Sequence, residues 1–253
     1  MRITPSSIPS RDRKKENFRV PSPFPGFPPE ALKFLRSLKR NNRREWFQPR
    51  KHLYEQHLKA PMMELVAALN TELVKLAPAY VTDVKKAIFR IYRDTRFSAD
   101  KTPYKTHIAA SFSRRGALGL KAGGFYFSVS AEAIEVAGGI YHPEPDITLL
   151  IRTHIAETHR DLERILAAKK TRTLMGGLQG AELTRSPKGF DPNHPAADFI
   201  RKKDWILDAT LDSSLATSPR LSAEIIERFR AMAPLIEYLN RPLLAIKPAK
   251  ILF

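Results

Sequence analysis

Apolar residues recur at helical spacing through the first third of the chain. Over 29–39, Ala31, Phe34, Leu35 and Leu38 share one face, with proline at the opening turn and Asn41-Asn42 as the stop. A second helix is predicted over 50–59. A third, from Pro61, puts Met62, Leu65, Val66, Leu69, Leu73 and Leu76 on one side until Pro78 ends it. Ahead of these, the PSPFPGFPP run reads as extended chain with turns, because each proline pushes its predecessor out of the helical region; Phe24 and Phe27 are placed to dock onto a core.

The period then changes. Segment 87–93 (AIFRIYR) is β-branched and aromatic, and 107–113 (HIAASFS) alternates weakly. In 124–130 Phe125, Phe127 and Val129 alternate against Tyr126, Ser128 and Ser130, and 132–137 follows closely. These four read as strands of an antiparallel sheet. A long helix is predicted over 144–168, carrying Ile147, Leu150, Ile151, Ile155, Leu162, Ile165 and Leu166, and is expected to pack across the sheet. After the Gly-rich MGGLQG turn and the loop RSPKGFDPNHP come a short helix at 196–203 and a strand at 205–211. A final helix is predicted to have Ser218 as N-cap and Pro219 in its first turn. Helices, then strands, then helices again make an α+β fold: a central antiparallel sheet of about four to six strands, flanked by N-terminal helices, a long middle helix and a C-terminal helix.

Charge changes the picture at the N-terminus. The 253 residues hold 43 Lys+Arg against 26 Asp+Glu, a formal net charge of +17. Residues 1–23 contain Arg2, Arg11, Arg13, Lys14, Lys15 and Arg19 against Asp12 and Glu16, with little apolar matter, and read as a disordered basic arm before one α+β domain over 24–253. The absence of cysteine removes disulfides, thiolate nucleophiles and Cys-ligated metals. No secretory h-region and no run of eighteen apolar residues occurs, so a soluble, cytoplasmic protein that does not engage membranes is expected.

The densest polar-aromatic stretch is 90–112, RIYRDTRFSADKTPYKTHIAASF. Arg90, Arg93, Arg96, Lys101 and Lys105 crowd around Asp94 and Asp100, and Tyr92, Phe97, Tyr104 and His107 are interleaved. A planar guanidinium binds carboxylate or phosphate through two parallel bonds, so this density points to an anion, with Asp94 orienting the arginines. The same residues also suit an internal ion-pair network that ties a strand to its turn. The stretch resembles the signature of the bacterial family DUF2461 (TIGR02453), R-x-x-R-D-x-R-F-x-x-x-K-x-P-Y-K followed by phenylalanine, matched by Arg90, Arg93, Asp94, Arg96, Phe97, Lys101, Pro103, Tyr104, Lys105 and Phe112. NNRREWF with Tyr54, AGGIYHP and RSPKGFDPNHPAADFIRKK extend the resemblance over about 24–245. The resemblance implies a functional surface and no activity.

Further candidates lie outside the signature. Tyr141 and His142 follow Gly138-Gly139, where backbone can approach a ligand closely, or where a strand simply turns into a helix between prolines. Arg152 sits one to two turns into the next helix. Lys188, Asp191 and His194 share a proline-bounded loop, in which Asp191 or Asn193 could instead cap a helix while His194 satisfies a backbone carbonyl. No P-loop, dinucleotide fingerprint, nucleophile elbow or metal-binding pattern is present, so no metal is expected and no cofactor is indicated. Two functions fit. One is recognition of a phosphate-bearing anion, nucleic acid being a candidate partner, through Arg90, Arg93, Asp94, Arg96, Lys101, Lys105, Tyr141, Arg152, Lys188 and Asp191, helped by a basic cluster at 36–45 beside Trp46 and Phe47. The other is an enzyme for a small phosphorylated or carboxylated substrate, with Tyr104, His107 or His194 transferring protons.

Overall fold

A computed structural model of the chain describes residues 24–115 and 122–245, and the basic arm expected at 1–23 lies outside them. Phe24 and Phe27 do dock: both are buried, with their rings edge to face at 5.4 Å. Helix α1 (Pro29–Arg40) opens on proline, has Glu30 in its first turn and Lys39 and Arg40 in its last, and buries Ala31, Leu32, Phe34, Leu35 and Leu38. Those charges complement the helix dipole.

A short helix α2 (Arg44–Phe47) and a 3-10 turn (Gln48–Arg50) lead into α3 (Lys51–Tyr54), a π turn (Glu55–Lys59) and α4 (Ala60–Leu76). The two helices predicted at 50–59 and from Pro61 are therefore continuous. Proline lacks an N–H and its ring crowds the carbonyl four residues back. Widening the preceding turn, so that the Ala60 N–H bonds the Glu55 carbonyl, lets the rod run on through Pro61. After a 3-10 turn (Pro78–Tyr80), α5 (Val84–Ala87) is capped by the Asp83 carboxylate, which accepts the N–H groups of Lys85 (3.0 Å) and Lys86 (3.1 Å).

The sheet is antiparallel in the order β1 (His107–Phe112), β2 (Gly124–Ser130), β3 (Ala133–Ile140), β4 (Trp205–Asp212). Segment 87–93, expected as a strand, is not one. Its backbone pairing is confined to isolated bridges at Ile88 with Ala110 of β1 and at Tyr92 with Tyr104, ahead of β1. Between those bridges four residue steps on one side face six on the other, so no continuous ladder can form. Rung Ala110–Phe127–Val136–Ala209 faces the core, and rung Ala109–Ser128–Glu135–Thr210 faces away from it.

Helix α6 (Pro145–Ala167) kinks at Thr158, whose hydroxyl bonds the His154 carbonyl (2.7 Å) and the Tyr238 hydroxyl (3.0 Å). It is followed by α7 (Lys169–Met175), which the hydropathy pattern did not announce, and by α8 (Ala197–Ile200), shorter than the predicted 196–203. The last helix, α9 (Leu221–Leu244), starts two residues after Pro219, and the Ser218 hydroxyl accepts the Arg220 N–H at 3.2 Å instead of capping the helix. It is α9, not α6, that lies on the sheet: Phe229 packs against Phe112 (5.6 Å) and Phe125 (4.7 Å). The helix with the broader buried face, α9, takes the inner layer. With its narrow stripe of Ile147, Ile151, Ile155 and Leu162, α6 packs on α9 from outside.

Three asparagines join these layers, each pairing with both the N–H and the C=O of one irregular residue. Asn42 holds Tyr104 (3.1 and 2.9 Å), Asn70 holds Thr82 (3.1 and 2.7 Å), and Asn240 holds Gly123 (2.7 and 3.1 Å). Asn240 is 0% exposed and also donates to the Tyr80 hydroxyl at 2.8 Å; burial pushes that phenol up to about 12. No helix among the described residues is long and apolar enough to cross a membrane.

Replacing Asn240 by alanine strands the Gly123 amide, the Gly123 carbonyl and the Tyr80 hydroxyl inside the core. Urea denaturation of Asn240→Ala should therefore show a loss of about 3 kcal/mol, at the upper end of the cost of unpaired buried polar groups. A loss below about 0.5 kcal/mol, the scale of an ordinary surface change, would mean that the clamp carries no weight.

Candidate functional site

The signature folds into a braced loop. From Arg93 the chain runs out to a turn and returns through Lys101. The Arg93 guanidinium bonds the Asp100 carboxylate and the Thr102 hydroxyl, and Arg96 grips Asp94 through two bonds, 3.0 and 2.7 Å. The Asp94 carboxylate also accepts the Arg96 N–H (3.2 Å), and Lys101 donates to the Thr95 carbonyl (2.9 Å). Of Arg93, Asp94, Arg96 and Lys101 only Asp94 and Arg96 bond each other; Arg93 and Lys101 brace the loop through other partners within it. The Asp94 carboxyl is held below the usual carboxylate range, chiefly by Arg96. At the tip Phe97 is 95% exposed.

Tyr104, at the end of that loop, points into the core. Its ring stacks on Phe47 at 4.1 Å, and its hydroxyl is buried without a partner. Burial and the neighbouring Tyr92 raise its pKa, so it remains a phenol. In the same region Trp46 packs on Phe34 (5.6 Å) and carries Arg50 over its face (4.9 Å), while Lys39 of the 36–45 cluster pairs with Glu132 at 2.8 Å. The aromatic residues of that cluster are therefore engaged in packing.

Arg90 makes no hydrogen bond or ion pair in the loop network, although its charge still helps lower the Asp94 pKa. It lines a groove of about 520 Å³ between the α3–π–α4 rod and segment 85–92. Three more cations reach the same groove: Lys51 of α3, Lys59 at the end of the π turn, and Lys85 of α5. Lys51 lies 3.9 Å from Glu55. Lys59, Lys85 and Arg90 have no carboxylate within ion-pair distance among the described residues. Phe89 and Tyr92 expose 41% and 42% of their surface here, and burial pushes the Tyr54 phenol in the wall up to about 12. Lys51, Lys59 and Lys85 are not among the residues expected from the sequence. The signal available in the sequence was a basic pair eight residues apart on one predicted helix and the Lys85-Lys86 pair just ahead of the signature.

The remaining candidates fall in three further places. Lys105, His107 and Tyr141 line a depression on the outer face of the sheet. Next to it His142 adopts a left-handed φ of 47°, stapled by the buried Asp204 carboxylate, which accepts the His142 N–H (2.7 Å) and lies 3.0 Å from Nδ1. Stacked on His142 at 3.9 Å, Tyr141 is thereby held out over the sheet. The preceding glycines serve packing: a Cβ on Gly138 would fall 2.1 Å from the Met232 sulfur, and one on Gly139 2.0 Å from the Trp205 carbonyl. Arg152 shares a smaller hollow, about 390 Å³, with His142 and Lys203, and donates to the Lys202 carbonyl at 3.0 Å; burial lowers its pKa.

Lys188, Asp191 and His194 sit in their own loop and reach none of these cavities. Lys188 and Asp191 are exposed, and Asp191 accepts the Asn193 N–H at 2.9 Å. His194 does not donate to a carbonyl as expected; its Nδ1 accepts the Ala196 N–H at 3.0 Å. Among the described residues no group of three or more His, Asp or Glu could hold a metal ion.

A family model described as a conserved hypothetical protein (DUF2461) matches residues 30–238. Neither the curated proteins nor the solved structures contain a match.

The brace at the loop base is testable by titration. Asp100 falls from the ordinary 3.8 to about 2, because the Thr102 N–H, the Arg93 guanidinium and the Thr102 hydroxyl all bond its charged form. A depressed carboxylate stabilises the folded loop above the unfolded pKa and loses that contribution as pH falls through about 2. NMR of the Asp100 carboxyl carbon should give a midpoint near 2 in the native chain, rising toward 3.8 in Arg93→Ala.

Proposed function

The chain belongs to the DUF2461 family, described only as a conserved hypothetical protein, and from the groove beside its signature we infer that it recognises a phosphate-bearing polyanion, single-stranded nucleic acid being the class that fits best. The observation that carries this reading is the groove beside the signature. Lys59, Lys85 and Arg90 face it without a carboxylate partner, Lys51 stands at its edge, and two half-exposed rings lie among them.

Cations spaced along a groove neutralise successive phosphates, and release of condensed counterions then supplies affinity. Rings beside them stack on bases without regard to sequence, because every base has a π-face. Phe89 and Tyr92 supply those rings. The formal charge of +17 adds long-range attraction for any polyanion. In this reading the arginines of the braced loop act indirectly. Arg93 and Arg96 are committed to Asp100 and Asp94, so they position the segment that carries Arg90 and Tyr92 and leave the phosphates to the groove cations.

The test is fluorescence polarisation with a labelled oligothymidylate across a salt titration. Substituting Lys59, Lys85 and Arg90 together by alanine should weaken binding at least tenfold at low salt. It should also flatten the slope of log affinity against log salt by about 0.7 for each phosphate that is no longer neutralised. Tyr92→Ala should weaken binding with the slope unchanged, as removal of a stacked base requires. Equal affinity in the native chain and the triple variant, or weakening only on deletion of residues 1–23, would sink the reading.

A further inference from the structure

The outer face of the sheet is the second large concavity of the molecule, about 610 Å³, within the range of small-molecule sites. The core helices have no use for it, since α9 covers the opposite face. Its floor holds the small residues Ala109 and Ala137, with Tyr126 in register beside Ala137. Its walls are rings. Phe89 stands edge-on to Tyr126 at 6.1 Å, and the stapled Tyr141, 69% exposed, rises on the far side.

The polar groups of this depression are sorted by sign. At the β1 edge Lys105 extends over the Phe89 ring, Nζ 4.9 Å from its centre, with no carboxylate in ion-pair range among the described residues. Burial, with Arg90 nearby, lowers its pKa, and burial beside Lys105 keeps His107 neutral at pH 7. Two and three strands away, roughly 10 and 14 Å at ordinary strand spacing, stand the carboxylates of Glu135 and Asp208. Glu135 accepts the Thr210 hydroxyl at 3.1 Å, and neither carboxylate has an ion-pair partner among the described residues.

We propose that this face binds a planar aromatic molecule with an anionic group at one end and an N–H donor at the other: the anion meets Lys105, the donor meets Glu135 or Asp208, and the ring lies flat on the alanines between Phe89 and Tyr141. A flat floor of small residues accepts a ring system face-on, and aromatic walls meet its edges. Each polar end meets a charged protein group that has no ion-pair partner among the described residues. The site is separate from the nucleic-acid groove and stands whether or not that reading holds; the two cavities share only the Phe89 ring as a wall.

The test uses three probes on the full chain by isothermal titration calorimetry: 6-amino-2-naphthoic acid, which has both ends, 2-naphthoic acid, which lacks the donor, and 2-naphthylamine, which lacks the anion. The two-ended probe should bind at least tenfold more tightly than either of the others, since each end adds a hydrogen bond to a charged group. Lys105→Met should weaken both acids about tenfold and leave 2-naphthylamine unchanged. Ala137→Trp, folded by circular dichroism, should abolish binding of all three. Equal affinities for the three probes, binding that survives in folded Ala137→Trp, or no binding at all would overturn the proposal. Should Ala137→Trp not fold, the Lys105→Met comparison decides by itself, because Lys105 lies at the open edge.

Discussion

A side-chain amide holds a donor and an acceptor side by side, so a single asparagine can pair with both backbone groups of a residue that has no strand next to it. This fold depends on that pairing at three seams. Tyr104 closes the signature loop against α1 and α2, Thr82 ties the end of the helical layer to α4, and Gly123 leads into β2 under α9. At each seam the chain leaves regular structure while enclosed by other elements, where an unpaired backbone group is costly. With the amides in place the layers meet at fixed positions. The segment carrying Phe89, Arg90 and Tyr92 is then held between two cavities without a continuous ladder of its own.

Much of this was legible in advance because it rests on local periodicity. The alternation of Phe125, Phe127 and Val129 and the helical stripe of α1 each bury one face in the way their spacing requires. What escaped depends on distant partners. Segment 87–93 has the composition of a strand, yet its pairing with 103–110 is out of step by two residues, which no local pattern records. The choice of α9 over α6 as the inner helix follows from comparing the two, since each alone is a plausible cover for the sheet.

The candidate site was legible in a different measure. The density of arginine and aspartate in 90–105 pointed to a special surface, but sequence could not tell which arginines would find carboxylates within their own loop. Arg93 and Arg96 did, and Arg90, three residues before Arg93, did not. The groove that Arg90 joins draws Lys51 and Lys59 from a helix thirty to forty residues earlier, and the depression beyond Phe89 joins Lys105 and His107 to Tyr141 through strand register. Convergence of this kind is a property of topology and appears only once the layers are stacked.

The π turn at Glu55–Lys59 has a consequence for how this chain can vary in length. Each helical residue turns the chain by about 100°, so a π turn acts as one residue inserted into an α-helix. Deleting one residue there would return the rod to regular α-helix with both flanks in phase, since Lys51 and Lys59 would then lie seven residues apart, about 700° or close to two full turns. Lys51 and Lys59 would still share a face. A single-residue deletion at this turn is therefore absorbed without moving the groove cations, whereas the same deletion elsewhere in the rod would rotate one flank by about 100° and carry Lys51 away from Lys59.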